Sequence, residues 1–401
     1  MDRNARRVRG RVCVCPLRRC SLLDAPRLSA IGRVRPRDRR PVAAAARTVR
    51  AVAASDRGAD VRRAANALIG LAGPLALVAL AGWIGAGLSA SRQLEFGDAL
   101  VNTAIVVALY VFVGNSGVIS FGHVSFVAVG AYLSGILTLG ATEKNFVLPS
   151  LYPWLRHTHV ATVTSLALAA AIGGVYALVV GLPLMRLSGL PAGIATFAVL
   201  GITYNVLQYW EKIGPAAQAL TSVPEVGVWT LTVGALVAIV VAFVYQRSRG
   251  GRMLRATRED PGAAQAVGIN VYRQRLVAFT ISGALAGFAG GLLMHQLGTI
   301  TTDQVYLELT FLTLAMLVVG GVNSLFGAVV GALSISALDS FLGDAENGIH
   351  LGVRINLPDG TRLVVLGALM ALVLILRPSG LTGGRELTVP RLRRIRIEFT
   401  R

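Results

Sequence analysis

Ten apolar windows, separated by short polar breaks, limit what this chain can fold into. Each is close to the roughly 20 residues that a helix needs to cross a bilayer. They lie at 67–88, 98–114, 124–141, 160–182, 191–210, 228–246, 276–298, 307–322, 325–342 and 362–377. The pattern predicts an all-α polytopic membrane protein with about ten transmembrane helices. Gly and Pro near 115–123 and 183–190 predict broken or re-entrant segments.

The composition agrees with a membrane location. Charged residues make up 15% of the chain, against about 25% in ordinary soluble proteins, and hydrophobic residues make up 54%. The formal charge of +19 would suggest a nucleic-acid partner for a soluble protein. Most of that excess lies in residues 1–63, outside the apolar windows. We therefore expect no nucleic-acid partner.

Residues 1–63 form an Arg-rich tail without an apolar run, and we expect this tail to be disordered. A targeting peptide and a start codon placed too early are both left open. Its cysteines, Cys13, Cys15 and Cys20, form no CxxC pair and have no nearby histidine. A zinc site would need a fourth ligand from elsewhere and is not expected.

The positive charges also predict a topology. With ten spans and the amino terminus inside, only six of the 39 arginines and lysines fall in outer segments. The positive-inside rule therefore places both termini and the segment 247–275 in the cytoplasm. The predicted domains are the tail 1–63, a transmembrane domain over 64–382, and a basic cytoplasmic tail over 383–401.

The segment 247–275 is the long polar stretch between two apolar blocks, and it carries seven arginines. Asp260 is a typical helix N-cap, and Pro261 suits the first helical position. Gly268 suits the left-handed residue that follows a last turn. These signals predict a two-turn helix over 261–267.

An isolated helix of two turns is unstable in water, so this one must dock on something. Ala263, Ala264 and Val267 have the spacing of one small, smooth face. Such a face would fit a groove on a partner protein.

Chemistry on this chain itself is not expected. A P-loop needs Gly-Lys followed by Ser or Thr, whereas Lys144 and Lys212 both follow glutamate. ATP-driven work must therefore come from another chain. The histidines lack the helical pairing with a carboxylate that a hydrolytic zinc site requires, so no catalytic residue, metal site or bound cofactor is expected. Glu308 and Asp339 lie near span ends, where interfacial solvation is expected.

A polar cluster extends from Gly114 to Tyr132, and related interruptions lie at 183–191 and 320–327. Non-helical backbone at membrane depth is tolerated only inside protein or beside a water-filled cavity. We expect the first cluster to line a translocation path, with close helix packing as the alternative interpretation. The candidate path residues are Asn115, Ser116, Ser120, Gly122, His123, Ser125, Tyr132, Gly189 and Thr196.

Five stretches, in order and with suitable spacing, resemble the permease subunits of branched-chain amino-acid ABC importers, LivM type. They are NSGVISFGHVSFVAVGAYLSGIL, LMRLSGLPAGIATFAV, GRMLRATREDPGAAQAVGINVYRQRLVAFTISGALAGFAGGL, LVVGGVNSLFGAVVGA and LILRPSGL. The similarity covers about 98–382 and implies the ABC importer permease fold. The Arg-rich tail 1–63 departs from the family.

The resemblance implies a complex in a bacterial plasma membrane, surrounded by lipid. The expected partners are a second permease of the LivH type, two ABC ATPases that bind ATP and Mg, and an extracytoplasmic substrate-binding protein. It also implies that the loop after the sixth span is a coupling helix that docks on an ATPase. The residues assigned to that contact are Arg258, Glu259, Asp260, Ala263, Ala264 and Gly268.

The expected function is transport of leucine, isoleucine and valine by a permease that is not itself an enzyme. A urea or short-amide permease is the alternative within the same class. A proton-coupled carrier or a channel without ATPases is the alternative from another class. A membrane-embedded enzyme is the least favoured, because no convergent acid, base or metal set is visible.

Overall fold

The computed structural model of the protein describes residues 69–156, 158–346, 349–350, 354–355, 360–377, 380–383 and 386. These residues form helices α1 to α14, a 3-10 turn at Asp303–Val305 and two paired strands. The helices are α1 Ile69–Ala86, α2 Ala90–Ser116, α3 His123–Thr138, α4 Ala141–Val147, α5 Pro153–Arg156, α6 Thr162–Leu184, α7 Leu190–Tyr209, α8 Val228–Arg247, α9 Arg249–Glu259, α10 Pro261–Ala266, α11 Val271–Leu297, α12 Leu307–Gly320, α13 Leu325–Glu346 and α14 Thr361–Leu376. The strands, β1 Ile349–His350 and β2 Arg354–Ile355, pair antiparallel with Ile349 opposite Ile355.

Each of the ten apolar windows coincides with one helix of 14 residues or more, so the prediction of an all-α polytopic fold is confirmed. Within the described residues, eight helices are long and apolar enough to cross a membrane, when α12 is counted with the 3-10 turn before it. The other two, α3 and α14, are shorter apolar helices of 16 residues each. The tail 1–63 and nearly all of 383–401 lie outside the described residues, so the predicted domain division stays a prediction.

Helix α11 lies at the centre of the bundle and packs against α2, α3 and α6. Glycines allow this close approach, because a Cβ at Gly130 of α3 would overlap the carbonyl oxygen of Gly287 in α11. A Cβ at Gly287 would in turn overlap the carbonyl oxygen of Ala169 in α6. Small residues at such crossings let backbones come into direct contact. The three helices therefore form one tightly packed block.

The breaks between spans meet at two opposite ends of the bundle. At one end, Tyr272 at the start of α11 donates to the carbonyl oxygen of Leu182 in α6, at 3.0 Å. At the other end, Leu220 and Ile300 exchange backbone hydrogen bonds of 2.9 and 3.0 Å. We call the first the 247–275 end and the second the opposite end.

Asp339 corrects one expectation from the sequence. Its carboxylate is paired with the Arg362 guanidinium through two hydrogen bonds, one of them 2.7 Å between Oδ2 and a terminal nitrogen. The backbone N–H of Arg362 also donates to Glu346, at 2.7 Å. Asp339 is therefore not simply solvated at the interface, because it connects α13 to the start of α14.

Lys144 occupies an unusual place outside the spans, in α4. It is fully buried, and its ammonium donates to the carbonyl oxygens of Leu155, at 3.3 Å, and of Thr158. Burial lowers the pKa of Lys144, because removal from water disfavours the charged form. The side chain thereby connects α4 to α5 and to the residues that follow α5.

Candidate functional site

The predicted helix in the 247–275 segment is present as α10, Pro261–Ala266. Asp260 caps it by accepting from the backbone N–H groups of Gly262, at 2.8 Å, and Ala263, at 3.0 Å. Gly268 has a φ of +86°, the left-handed conformation in which glycine avoids a Cβ clash. Its N–H bonds to Gln265, and the N–H of Ile269 bonds to Ala264, at 2.9 and 3.0 Å. These two bonds are the Schellman arrangement that ends a helix.

The exposure of α10 corrects the predicted smooth face. Ala264 is buried, with 4% exposure, whereas Val267 just after the helix is 77% exposed. Ala263 is exposed as well. The helix therefore turns Ala264 toward its own chain, and a partner could reach Ala263 and Val267. Glu259 and Asp260 are exposed beside them.

An additional helix precedes α10 and was not predicted. Helix α9, Arg249–Glu259, is capped by the Ser248 hydroxyl, which accepts from the N–H of Gly251 at 3.2 Å. Leu254 and Thr257 are buried on one of its faces. Its arginines lower the mean hydropathy, so the helix does not stand out as an apolar window. The amphipathic spacing of the buried positions was the signal that could have found it.

Arg258 ties the end of α9 to the membrane helices. Its guanidinium donates to the carbonyl oxygen of Gly114, at 2.7 Å, and to the side-chain oxygen of Asn323, at 2.5 Å. Gly114 lies in the last turn of α2, and Asn323 lies in the turn between α12 and α13. One side chain thus joins the segment that carries α10 to two of the polar interruptions seen in the sequence.

His123, at the centre of the predicted path cluster, is buried and fully hydrogen-bonded. Its Nε2 lies 2.7 Å from the Ser282 hydroxyl and its Nδ1 lies 2.8 Å from the Ser120 hydroxyl. Ser282 already donates its proton to the carbonyl oxygen of Ala108, at 2.6 Å. Nε2 must therefore donate to Ser282, and in the neutral ring Nδ1 accepts from Ser120.

Three aromatic rings enclose this imidazole. The ring centroids of Phe112, Phe126 and Phe279 lie 5.6, 5.7 and 5.3 Å from that of His123. The rings come from α2, α3 and α11, while Ser120 comes from the break between α2 and α3. The arrangement holds that break against α11, which is a packing role.

Three other candidate path residues also form hydrogen bonds within the chain. Thr196 accepts from the backbone N–H of Phe121 at 3.1 Å, and Tyr132 and Thr302 share a 3.1 Å hydrogen bond. Asn115 donates to Val111 at 2.9 Å, while its Oδ1 has no partner among the described residues. The buried members of the set are Asn115, Ser116, Ser120, Gly122, His123, Ser125, Tyr132 and Thr196.

Gly189 is the exposed member of the set, with a φ of +66° just before α7. The structure thus brings seven of the nine residues into one buried region around the break between α2 and α3, with Tyr132 further along α3. It does not place them on an accessible surface. Their role in a translocation path stays a prediction.

Helix α7 has an exposed face that could not be predicted from the sequence. Ile202 is 61% exposed and Tyr209 is 76% exposed. Apart from the nearby backbone of α7, no atom of the described residues lies within 4 Å of a Cβ placed on Gly201. Asn205 is exposed, and its side-chain amide donates to the carbonyl oxygen of Gly201 at 2.7 Å. Hydropathy could not single out this face, because the whole helix is apolar and exposure depends on which neighbours pack against it.

Titratable groups that could hold a metal do not gather in the described part of the chain. No group of three or more His, Cys, Asp or Glu residues there has suitable geometry. The three cysteines lie outside the described residues. The expectation that ATP and Mg bind to partner chains stays a prediction.

Comparison with known proteins identifies the family. A family model described as "Branched-chain amino acid transport system / permease component" matches residues 97–374. The LivM permease protein of the Escherichia coli high-affinity branched-chain amino acid transport system is 26% identical over 69% of this chain. The match covers 66% of that relative, slightly less than two thirds of its length. No solved structure matches the chain.

Two further relatives mark the range of the family. The LivH permease protein of the same Escherichia coli system is 26% identical over 74% of this chain and 96% of the relative. An autoinducer 2 import system permease protein, LsrC of an Enterobacter species, is 31% identical over 44% of this chain and 52% of the relative. The predicted LivM-type resemblance is confirmed. With the multi-pass helical bundle, these matches show that the chain belongs to the family of permease components of branched-chain amino acid transport systems.

Proposed function

We propose that this chain is the membrane permease subunit of an ATP-driven ABC importer and forms, with a second permease, a translocation path for leucine, isoleucine and valine. The observation that carries the proposal is that Arg258, which is hydrogen-bonded to the membrane helices, lies directly before the exposed helix α10 in the chain. Ala263 of α10 and Val267 just after it are exposed at the 247–275 end, while Arg258 fixes the same segment to α2 and to the α12–α13 turn. A push from an ATPase on α10 would therefore reach the membrane helices.

The second permease would pair with this chain through the exposed face of α7. Gly201 leaves space for a close helix contact, and small residues favour such contacts in membranes. Asn205 offers an exposed amide there, which is better matched by protein or water than by lipid tails. Since the predicted path residues are buried inside one chain, this face is the better candidate for the wall of a path between two chains.

The remaining parts of the complex follow from the same proposal. Two ABC ATPases would bind ATP and Mg at the 247–275 end, which would be cytoplasmic together with both termini. An extracytoplasmic binding protein would deliver the amino acid to the opposite end. The names of the Escherichia coli relatives support branched-chain amino acids as cargo. Urea or a short amide is the alternative cargo, and the relative named for autoinducer 2 import supports variation of cargo within the family.

Reconstitution tests the proposal directly. Proteoliposomes that contain this chain, the second permease, both ATPases and the binding protein should take up labelled leucine only when ATP is supplied. Labelled urea is the comparison cargo, and uptake of urea in place of leucine would favour the alternative substrate. Uptake without the ATPases, or uptake abolished by a protonophore at constant ATP, would replace the proposal with a proton-coupled carrier.

Replacement of residues 259–268 by a Gly-Ser linker tests the docking site separately. The ATPases should no longer co-purify with this chain, because the capped helix and its exposed end are gone. The variant must still insert into the membrane and elute as a single species. ATPases that co-purify unchanged with such a variant would exclude α10 as their docking site.

A further inference from the structure

Helices α1, α2 and α13 leave a groove of about 660 Å³ between them. Its walls are mostly apolar, and Leu80, Ile84 and Phe341 along it are 50, 48 and 53% exposed. Exposed side chains of this kind on membrane-spanning helices face the surroundings of the bundle. The groove therefore opens sideways toward lipid and is not enclosed within the protein.

One rim of the groove is charged. The Arg92 guanidinium lies 3.0 Å from a carboxylate oxygen of Glu95 and 3.4 Å from one of Asp344, and all three residues line the groove. The Arg92 side chain is 54% exposed. An arginine has five N–H donors, so donors remain for a further anion. The rim offers one cation flanked by two carboxylates.

Two serines of α13, Ser336 and Ser340, line the groove below its charged rim. Ser336 is buried, and its hydroxyl has no hydrogen-bond partner among the residues that the structure describes. It lines the groove eight residues before Asp344 on α13, a separation of about 12 Å along the helix. A buried hydroxyl without a partner is unfavourable, so a ligand that supplies an acceptor at this depth would be stabilised.

The length of the groove indicates what fills it. The lining residues of α13 extend from Leu333 to Asp344, which is about 16 Å along a helix. Half of a hydrocarbon core of roughly 30 Å is about 15 Å. The groove therefore has the depth of one leaflet, with its charged rim at the end where headgroups lie. This length exceeds what the side chain of one amino acid needs.

We propose that this groove binds one zwitterionic aminophospholipid of the phosphatidylethanolamine type. The phosphate would contact Arg92, the ammonium would contact Glu95 and Asp344, and one acyl chain would lie along the apolar walls. An acyl ester oxygen would accept from Ser336, since the extended headgroup and glycerol separate ester and ammonium by a comparable length. The two carboxylates disfavour an anionic headgroup that has no amine.

Lipid retained by the purified full chain tests the proposal. The chain is exchanged into an equal mixture of phosphatidylethanolamine and phosphatidylglycerol, and bound lipid is measured by native mass spectrometry. Phosphatidylethanolamine should be retained severalfold over phosphatidylglycerol. Arg92→Gln should lower the retention of both lipids, since both carry the phosphate. The double variant Glu95→Gln, Asp344→Asn should abolish the preference, because it removes the partners of the amine, whereas Glu211→Gln, which removes an exposed carboxylate outside the groove, should not. Equal retention of the two lipids by the unmodified chain overturns the proposal.

A second pair of variants tests the groove itself. Ala337→Phe fills the exposed wall of α13, while Ser334→Phe places the same ring at an exposed position of α13 that does not line the groove. Only the first should reduce lipid retention, with both variants eluting as single species. Equal losses in both variants would overturn the assignment of the lipid to this groove.

Photolabelling of the unmodified chain needs no variant. Phosphatidylethanolamine with a photoreactive acyl chain should label peptides around 77–84 and 333–341 above all other exposed helices. Uniform labelling overturns the proposal. A photoreactive leucine that labels the same peptides would identify cargo as the occupant. Protection of these peptides by the second permease would identify that subunit as the occupant, and each of these results also overturns it.

Discussion

Arg258 and Asn323 lie 65 positions apart in the chain and are joined by a 2.5 Å hydrogen bond from guanidinium to side-chain oxygen. The same guanidinium holds the carbonyl oxygen of Gly114. Any displacement of α9 must therefore break these bonds or move the end of α2 and the α12–α13 turn with it. We therefore propose that Arg258 is a positioning residue for transport, through which α10 would act on the membrane helices.

Arg258→Gln should separate docking from transport. Hydrogen bonds to charged groups contribute about 1.5–3 kcal/mol, and 1.4 kcal/mol is a factor of 10. We expect ATP-driven leucine uptake to fall about tenfold or more, while the ATPases still co-purify. Arg252→Gln, at an exposed position of the same helix, is the matched control. When combined with Arg258→Gln, Asn323→Ala should reduce uptake little further, because both changes remove the same hydrogen bond. Uptake that is equal in the Arg258 and Arg252 variants would refute the link.

Gly268→Val should weaken the binding of the ATPases. A φ of +86° is unfavourable for a residue with a Cβ by about 1–2 kcal/mol, so the end of α10 should fray. Hydrogen exchange over 261–269 should quicken and ATPase affinity should fall. Gly268→Asn is the control, since asparagine tolerates the left-handed region. If the valine and asparagine variants bind the ATPases equally well, the Schellman end does not position α10.

Ser282→Ala should destabilise the fold. It leaves the Nε2–H of His123 buried without an acceptor, which costs about 1–3 kcal/mol, and thermal unfolding in detergent measures the loss. Adding His123→Phe to Ser282→Ala should recover part of it, because three phenylalanines already surround that ring. If Ser282→Ala instead abolishes uptake at unchanged stability, His123 belongs to the translocation path.

Gly201→Leu should disrupt assembly with the second permease and leave the single chain folded. Among the described residues, no atom beyond the nearby backbone of α7 lies within 4 Å of a Cβ added there, so a loss of pairing would come from the partner. Gly367→Leu on α14 is the control, because that glycine also has open space around it. Pairing is measured by co-purification of the second permease from detergent. If Gly201→Leu and Gly367→Leu assemble with the second permease equally well, that subunit contacts another face of this chain.

The two ends of the bundle can be assigned to the two sides of the membrane by labelling. Val267 and Lys212 are both exposed and lie at opposite ends. After Cys13, Cys15 and Cys20 are replaced by serine, Lys212→Cys should react with an impermeant maleimide on intact cells. Val267→Cys should react only after the cells are opened. The reverse pattern would invert the topology that the arginine and lysine counts predict.

The helices and the cap of α10 could be predicted because their causes are local. Apolar windows of sufficient length mark the spans, and Asp260 with Gly268 marks α10 through the chemistry of helix ends. The contacts of α9 could not be found in this way. Arg258 reaches Gly114 across 144 positions, and no local pattern encodes that partner.

The candidate path illustrates the same limit. A histidine among serines and glycines in an apolar run indicates a break within the protein interior, and the break is there. Its role depends on Ser282, 159 positions away, whose proton is already committed to Ala108. The exposed face of α7 was missed for a related reason, because burial of an apolar helix is decided by the neighbours that other parts of the chain supply.

The glycine contacts that join α3, α6 and α11 have a consequence for any study of motion in this transporter. Backbones that touch at Gly130 and Gly287 leave no room for side chains to repack, so we expect distances between probes on these helices to stay constant through the cycle. Movement of probes on α9 or in the α12–α13 turn could then be measured relative to the constant positions of α3, α6 and α11. Spectroscopic distance measurements on this chain can therefore be calibrated within the molecule itself.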